Sequence, residues 1–497
     1  MREPFLRTLL IPVALIWTVA YEFVRRACGK GKNKIIFYIR GKSMKTIAAI
    51  STAAAPGGIG VIRISGDAAR AVGDRVFRAV SGEALRDATG YTCRFGYVAD
   101  KSGARLDECI ATVFAAPKSF TGEDVVELSC HGGLFILKSV LQAVFAAGAA
   151  PAAPGEFTRR AFLNGKMDLA QAEAVMGLIS AQGREAMKAA QAGHDGALSR
   201  RIATIRDDLT DIGAHLAAWA DYPDDDIPQV NETMLKDRLS AGRRSLEALL
   251  DSFDGGRVLR EGVETVIAGK PNAGKSTLMN LLAGCERSIV TELAGTTRDV
   301  VEETVLLGDI PLRLADTAGI RETEDRVEKI GVQIALDRVK TAQFVLAVFD
   351  ASEALNDDDR AMIEAIGDTP CVAVVNKSDL PAAIDMAEIE AHFAQVVTIS
   401  ALSGDGLSAL AEAAAQVLRT AALNPNDGIL YTERQRADVK AALDCLTEAQ
   451  DALQGGMTWD AVTVSLEGAV AALNELTGER VSDAVVDRVF EKFCVGK

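Results

Sequence analysis

Apolar positions in this chain follow two periods, and the switches between them divide it. From Met44 they alternate over short runs: Thr46–Ile50, Gly57–Ser65, Glu108–Phe114 and Asp124–Cys130 read as strands. Leu134–Ala147, after the Gly132-Gly133 turn, reads as a helix, so a small α/β domain is expected to end near Pro154. From 156 to 253 the period is helical. Leu169, Ala172, Val175, Met176 and Ile179 fall on one face, as do Ile202, Ile205, Leu209, Ile212 and Leu216. The run Asp221-Tyr-Pro-Asp-Asp-Asp226-Ile-Pro228 breaks that period; a solvated turn is the preferred reading there, ahead of a metal site. Strand-like runs return over 260–422, and the helical period resumes from about Tyr431 to Phe493. The fold class expected is a multidomain α/β plus all-α chain, with one helical domain whose two halves pack together around an inserted α/β domain. The boundaries are 1–43 as an extension, 44–160, 161–255 and 425–497 as the two helical halves, and 256–424 as the insert.

Composition changes this picture little. Charged residues at 25% and hydrophobic residues at 48% describe a folded globular protein. The net charge of -15 hides an asymmetry, because residues 1–43 carry +7 and residues 44–497 carry -22. A body that acidic is not held to nucleic acid by bulk electrostatics, so an RNA partner requires a local basic patch or a second protein. The eight cysteines are scattered without a Cys-x-x-Cys pair, which reads as reduced cytosolic thiols and a cytoplasmic location. In residues 1–43 a charge-free apolar run begins at Thr8 and is too short to span a bilayer. Met44 reads as a domain start, so 1–43 is expected to be a gene-start artefact, with a membrane-proximal anchor as the alternative.

The strongest chemistry lies in Gly269-Lys-Pro-Asn-Ala-Gly-Lys-Ser276, set between the apolar run Glu264–Ala268 and the helical run from Thr277 to Leu282. This is a Walker A loop in strand–loop–helix context. Its backbone N–H groups, from Asn272, Ala273 and Gly274 to Thr277, suit phosphate oxygens; Lys275 reaches the outer phosphates and Ser276 can hold Mg²⁺. Thr296-Thr-Arg-Asp299 supplies a hydroxyl, best Thr297, to complete the Mg²⁺ shell. Asp316-Thr317-Ala318-Gly319 follows two strands joined at Gly308-Asp309, and places Asp316 toward Mg²⁺ and the Gly319 N–H toward the γ-phosphate. Asn376-Lys377-Ser378-Asp379 follows a buried strand, and its Asp379 carboxylate accepts from N1–H and the 2-amino group of guanine, a donor pair adenine lacks. Ser400-Ala401 fits the loop that touches the guanine carbonyl. The set specifies GTP. Ile320 stands where a Gln would orient the attacking water, so hydrolysis must use another group.

Two further positions are polar residues inside apolar strands. Arg63 opposes the Ile62 and Ile64 face, and Glu127 opposes the Val126 and Leu128 face. A lined pocket, a structural Arg–Glu pair and two solvated faces all remain open readings of these two charges.

Over residues 44–497 the chain resembles the MnmE (TrmE) family of tRNA-modification GTPases. The resemblance rests on Pro56–Gly66 (PGGIGVIRISG), Ser119–Asp124 (SFTGED), Pro154–Thr158 (PGEFT), Phe162–Glu173 (FLNGKMDLAQAE), Gly295–Asp299 (GTTRD) and the terminal Phe493-Cys-Val-Gly-Lys497. It implies a folate-binding and dimerising N-terminal domain, a helical domain and an inserted Ras-like P-loop GTPase domain. It also implies a homodimer that works with the FAD protein MnmG (GidA) on tRNA. Together they add an aminomethyl or carboxymethylaminomethyl group at C5 of the wobble uridine, U34. By the resemblance, Arg63, Glu127, Lys166 and Lys497 match contacts to 5,10-methylene- or 5-formyl-tetrahydrofolate. Cys494 is a candidate for the modification chemistry, with a structural or positioning role as the alternative. Potassium is implied at Asn272, Thr291, Leu293 and Thr296, and Glu328 matches a water-orienting Glu. Thr291 and Thr296 also fall in the implied GTP contact set. An Era-like ribosome-assembly GTPase is disfavoured because residues 425–497 carry net -6 and no Gly-x-x-Gly. A membrane-anchored GTPase switch using residues 1–43 is the remaining alternative.

Overall fold

The computed structural model describes residues 44–221, 231–285, 303–314 and 338–497. The described chain divides into two compact units, one made of 44–167 with Ser482–Lys497 and the other of Asp168–Val481.

The first unit is built on a seven-stranded sheet. Its strands are β1 (Ile47–Ile50), β2 (Ile59–Ser65), β3 (Phe77–Ala79), β4 (Thr92–Ala99), β5 (Arg105–Phe114), β6 (Val125–His131) and β7 (Ala150–Pro151), in the order β3-β4-β5-β6-β2-β1-β7. All neighbours are antiparallel except β1 and β7. Helices α1 (Ala69–Val76) and α2 (Leu134–Ala146) bury their apolar stripes with Ile62, Ile64, Ala111, Val126 and Leu128 in one core. Alternation along the strands puts Arg63, Thr112 and Glu127 on the other face, where register aligns them side by side. Helix α3 (Glu156–Leu163) completes the unit with a buried ionic cluster. Arg160, 2% exposed, donates to both Glu123 oxygens at 3.2 and 3.0 Å, to Glu156 at 2.7 Å and to Lys45 O at 2.8 Å.

Periodicity alone assigns Ser482–Lys497 to the helical half, but the structure groups this segment with the first unit. The aromatic rings explain why. Phe490 stacks on Phe162 and Phe493, and is itself fully buried. Beyond it the tail threads the unit: Gly155 N–H donates to Cys494 O and Phe157 N–H to Lys497 O. Gly496 has φ +97°, and a Cβ there would lie 2.3 Å from Ile50 O, so only glycine passes.

The second unit contains a helical part and a sheet. Helices α4 (Leu169–Ser180), α5 (Arg184–His194), α6 (Ala197–Asp221) and α7 (Glu232–Glu261) precede the sheet. The faces read from periodicity are the buried ones: Ile202, Ile205, Leu209, Ile212 and Leu216 are all in the core. The sheet then follows with β8 (Val263–Ala268), α8 (Lys275–Cys285), β9 (Glu303–Leu307), β10 (Ile310–Leu314), β11 (Phe344–Asp350), α9 (Asp357–Ile366), β12 (Cys371–Asn376), α10 (Met386–Glu390), β13 (Val396–Thr398) and α11 (Leu407–Val417). Its strand order is β13-β12-β11-β8-β10-β9, parallel except for β9. Fully buried runs such as Phe344–Asp350 are what a sheet covered on both faces requires. Helices α12 (Glu433–Gln454) and α13 (Trp459–Thr477) then return to α6 and α7, sharing Leu209, Leu239, Leu246, Val439, Leu446 and Leu466 in one core.

An ionic clamp joins the two stretches of helix. Arg434 binds Glu173 through two hydrogen bonds of 2.9 and 2.7 Å and Asp438 at 2.9 Å. Burial pushes the Asp438 carboxyl up to about 6, against the opposing pull of Arg434. Among the described residues no helix is long and apolar enough to cross a membrane. Cys93, Cys109, Cys130, Cys371, Cys445 and Cys494 are free thiols.

Candidate functional site: a guanine-nucleotide cradle and an arginine–glutamate pair

The phosphate loop leaves β8 and enters α8 as the sequence requires. Asn272 takes φ +61°, a left-handed conformation that Asn tolerates better than most side chains, and Gly274 takes φ +94°. A Cβ on Gly274 would lie 2.1 Å from Asn376 Nδ2, so the loop is closed against the base-recognition strand. Lys275 Nζ donates to Gly269 O at 2.8 Å and Lys270 O at 2.7 Å, which holds the ammonium over the loop. Burial lowers the affinity of that amine for its proton. Ser276 and Thr277 are exposed in the first turn of α8 and Ala273 is buried beneath.

Asn376 fastens the three guanine-site loops together. It is 2% exposed, donates from Nδ2 to Ala273 O at 2.9 Å and accepts from Ala401 N–H at 2.9 Å through Oδ1. Lys377, at φ +65°, donates to Asp350 Oδ2 at 2.5 Å. Burial alone would raise the Asp350 carboxyl, but Lys377 and Ser352 outweigh it and hold it below its ordinary value. Asp379 is exposed, and Ser400 Oγ donates to its Oδ1 at 2.6 Å. One oxygen is thereby fixed and the carboxylate edge is oriented before any base arrives.

Sequence reasoning missed a brace under this loop. Lys270 Nζ sits 2.9 Å from Glu353 and 3.2 Å from Asp359, whose carboxylate also closes the capping box of α9 with Asn356. Burial would discharge Lys270, but these two carboxylates more than offset it and raise its pKa. Asp359 lies in an acidic run that reads as a solvated helix start, so no local signal distinguishes it. Thr291, Leu293, Thr296, Thr297, Asp316, Thr317, Ala318, Gly319, Ile320 and Glu328 lie outside the described residues, as does most of the Asp221–Pro228 run. Among the described residues no group of three or more His, Cys, Asp or Glu is arranged to hold a metal ion.

In the first unit Arg63 Nε donates to Glu127 Oε1 at 2.8 Å, with the side chains 17% and 22% exposed. The two charges are therefore partners, each with an accessible edge. The rings of Phe120 and Phe157 each lie 5.6 Å from the Arg63 guanidinium. Lys497 has its pKa lowered by burial first and by the Arg63 charge second, while Glu127 and Cys494 oppose the shift. Lys166 donates to Pro117 O at 3.2 Å, on the loop that carries Phe120. Cys494 is half-buried in the tail. Neither aromatic was singled out from the sequence, although both stand inside the Ser119–Asp124 and Pro154–Thr158 motifs.

A mostly parallel sheet, a phosphate loop after β8 and an oriented Asp379 define a guanine-nucleotide-binding protein of the P-loop class. Two family descriptions match the chain: "GTP-binding protein TrmE N-terminus" over residues 46–166 and "MnmE helical domain" over 169–494. Relatives named tRNA modification GTPase MnmE are similar along almost their whole length. That of Acetivibrio thermocellus is 40% identical and that of Geobacter sulfurreducens 42%, each covering 91% of this chain and 99% of the relative. That of Geobacillus kaustophilus is 42% identical with the same coverage. Among solved structures, the G domain of the T. maritima FeoB iron transporter covers 31% of this chain and 98% of its own, at 24% identity and a TM-score of 0.24. The chain belongs to the MnmE family of tRNA-modification GTPases, and is a GTP hydrolase taking part in tRNA modification.

Proposed function

We propose that this chain hydrolyses GTP to drive addition of an aminomethyl-type group to C5 of the wobble uridine in certain tRNAs, with a tetrahydrofolate as one-carbon donor. The observation that carries the GTP half is Asn376, which ties the phosphate loop to Ala401 while Ser400 orients Asp379 toward a guanine edge. Ser276, exposed at the start of α8, fits a Mg²⁺ ligand, with Thr297 as its companion and Asp316 reaching the ion through water. Asn272, exposed on the loop, offers a carboxamide oxygen suited to potassium, with Thr291, Leu293 and Thr296 as the other proposed ligands. A bound cation supplies positive charge to the transferring phosphoryl group. Because Ile320 cannot hydrogen-bond, Glu328 is the proposed water-orienting residue, acting through a second water since a direct carboxylate would repel the phosphate.

For the folate half, the support is the pairing of Arg63 with Glu127 between two aromatic rings and beside Lys497. A carboxylate can receive the amino-pyrimidine edge of a pterin, and Lys497 and Lys166 suit a glutamate tail. Replacing Glu127 by Ala should weaken binding of 5-formyl-tetrahydrofolate on the order of 100-fold in calorimetric titration, the cost of two charge-assisted hydrogen bonds. Unchanged affinity would remove the pterin from this site.

The scheme includes a homodimer through the first unit, a partner FAD protein of the MnmG type, and a domain plan with residues 256–424 inserted between 161–255 and 425–497, the segment Ser482–Lys497 packing with the first unit. A strain lacking the gene tests the whole reading by mass spectrometry of tRNA nucleosides. C5-modified wobble uridines should disappear and return with the gene; their persistence unchanged would refute the assignment.

A further inference from the structure

Helix α5 begins without a capping side chain of its own, since its N-cap residue is Gly183. The cap comes from the sheet. Arg184 N–H donates to Asp309 Oδ1 at 3.0 Å, across 125 positions of sequence, and a Cβ on Gly183 would lie 2.7 Å from Asp309 O. Asp309 and Gly308 are the two-residue turn between β9 and β10, with Gly308 at φ +62° as such turns require. Its carboxylate sits at the positive end of α5, where the helix dipole favours it. Open clefts of about 310 and 570 Å³ flank the turn, the first also lined by Leu259 and Ala411 and the second by Leu178, Gln182 and Met187, and a Cβ on Gly308 would lie 3.1 Å from Ala411 Cβ.

The strand beyond the turn runs in the direction of β8, toward its phosphate-loop end. β10 runs parallel to β8, paired from Leu312 with Val263 to Leu314 with Thr265. Both strands start at the helical side: β8 follows α7 after Gly262, and β10 follows the turn that caps α5. Both lead to chemistry, β8 into the phosphate loop and β10 toward Asp316, two positions past Leu314. Strands of this length span roughly 15–20 Å. The pair therefore links the first turn of α5 to the phosphate side of the cradle, β8 joined to α7 by the chain itself and the β9–β10 turn hydrogen-bonded to α5 through the Asp309 carboxylate, while Pro311 at the start of β10 packs against Gly262 at the end of α7.

We propose that Asp309 is a positioning residue that couples the nucleotide site to the helical part of the unit. Sliding of β10 against β8 makes or breaks the hydrogen bond to Arg184 N–H, so the α5 cap is the two-state element that both ends bias. The inference rests on the GTP reading above.

Hydrogen exchange of the full chain tests it, with GDP or a non-hydrolysable GTP analogue in Mg²⁺ and K⁺. In the native protein, exchange of amides 184–187 should differ by roughly threefold or more between the two nucleotides. Asp309→Ala should raise that exchange about fivefold, the effect of losing one cap, and erase the nucleotide difference. GTP affinity should stay within about twofold, because Asp309 is hydrogen-bonded to α5 and, among the described residues, to none of the phosphate-loop or base-site residues. Asp309→Asn should restore the difference, since an amide oxygen also caps. Gly183→Ala, which pushes the turn away without removing the carboxyl group from the chain, should behave like Asp309→Ala. The proposal is overturned if Asp309→Ala keeps the native difference, or if the native protein shows none while amides 269–276 respond to nucleotide. If amides 269–276 respond to neither nucleotide, the GTP reading itself fails.

Discussion

Replacing Asp379 by Asn should convert the protein from a GTP to a xanthosine triphosphate hydrolase. In the proposed base contact the carboxylate accepts two donors from guanine, and an amide in its place turns an NH₂ group against one of them. Losing a charge-assisted hydrogen bond and gaining a donor–donor clash costs about 3 kcal/mol, so GTP affinity should fall on the order of 100-fold. Xanthine carries a carbonyl at position 2 and accepts from that NH₂. Ser400 Oγ, 2.6 Å from Asp379 Oδ1, is placed to hold the amide oxygen and so fix which way the group faces. Nucleotide titration followed by phosphate release checks both halves. A variant that binds GTP within threefold of native affinity would show that Asp379 does not read the base.

Arg160→Met should be the most damaging single change to the first unit. Arg160 is almost wholly buried and holds Glu123, Glu156 and Lys45 O together. Replacing it leaves the Glu123 carboxylate with Ser65 Oγ as a hydrogen-bond donor and without its Coulomb partner, a situation that costs about 3–5 kcal/mol. A chain of several domains does not unfold in one step, so the readout should be local: amide protection in β2 and β6. Binding of 5-formyl-tetrahydrofolate should fall with it, because the Ser119–Asp124 loop carries Phe120 over Arg63. Removing the orphaned charge as well, in Arg160→Met with Glu123→Met, should recover at least half of the protection. Protection in the single variant equal to native would mean that the cluster contributes little.

What the sequence revealed, and what it hid, follows from the range of each interaction. Ile202, Ile205, Leu209, Ile212 and Leu216 could be assigned to one buried face because a helix repeats locally. The phosphate loop was legible for the same reason, since its strand, glycines and helix are contiguous. β4 was not, because outward positions Cys93, Phe95 and Tyr97 are as apolar as inward Val98, which blurs the alternation. β3 and β7, with three and two residues, are too short to show a period. The pairing of Arg63 with Glu127 depends on strand register, which no local pattern encodes, so a pair and a pocket could not be told apart in advance. The Lys270–Asp359 brace and the Asp309 cap join distant segments, and neither leaves a local mark.

The threading of Ser482–Lys497 into the first unit bears on how the protein is made. Residues 44–167 emerge from the ribosome early, yet their missing piece is separated from them by all of 168–481. At elongation rates of about 5–20 residues per second, that gap lasts roughly 15–60 s. Throughout it, the groove beside Phe157 and Phe162 lacks Phe490 and Phe493, and the Gly155 and Phe157 N–H groups lack their carbonyl partners. The nascent unit must wait in an unfinished state, and the Arg63–Glu127 site proposed for a reduced folate gains Lys497 only when synthesis reaches this segment.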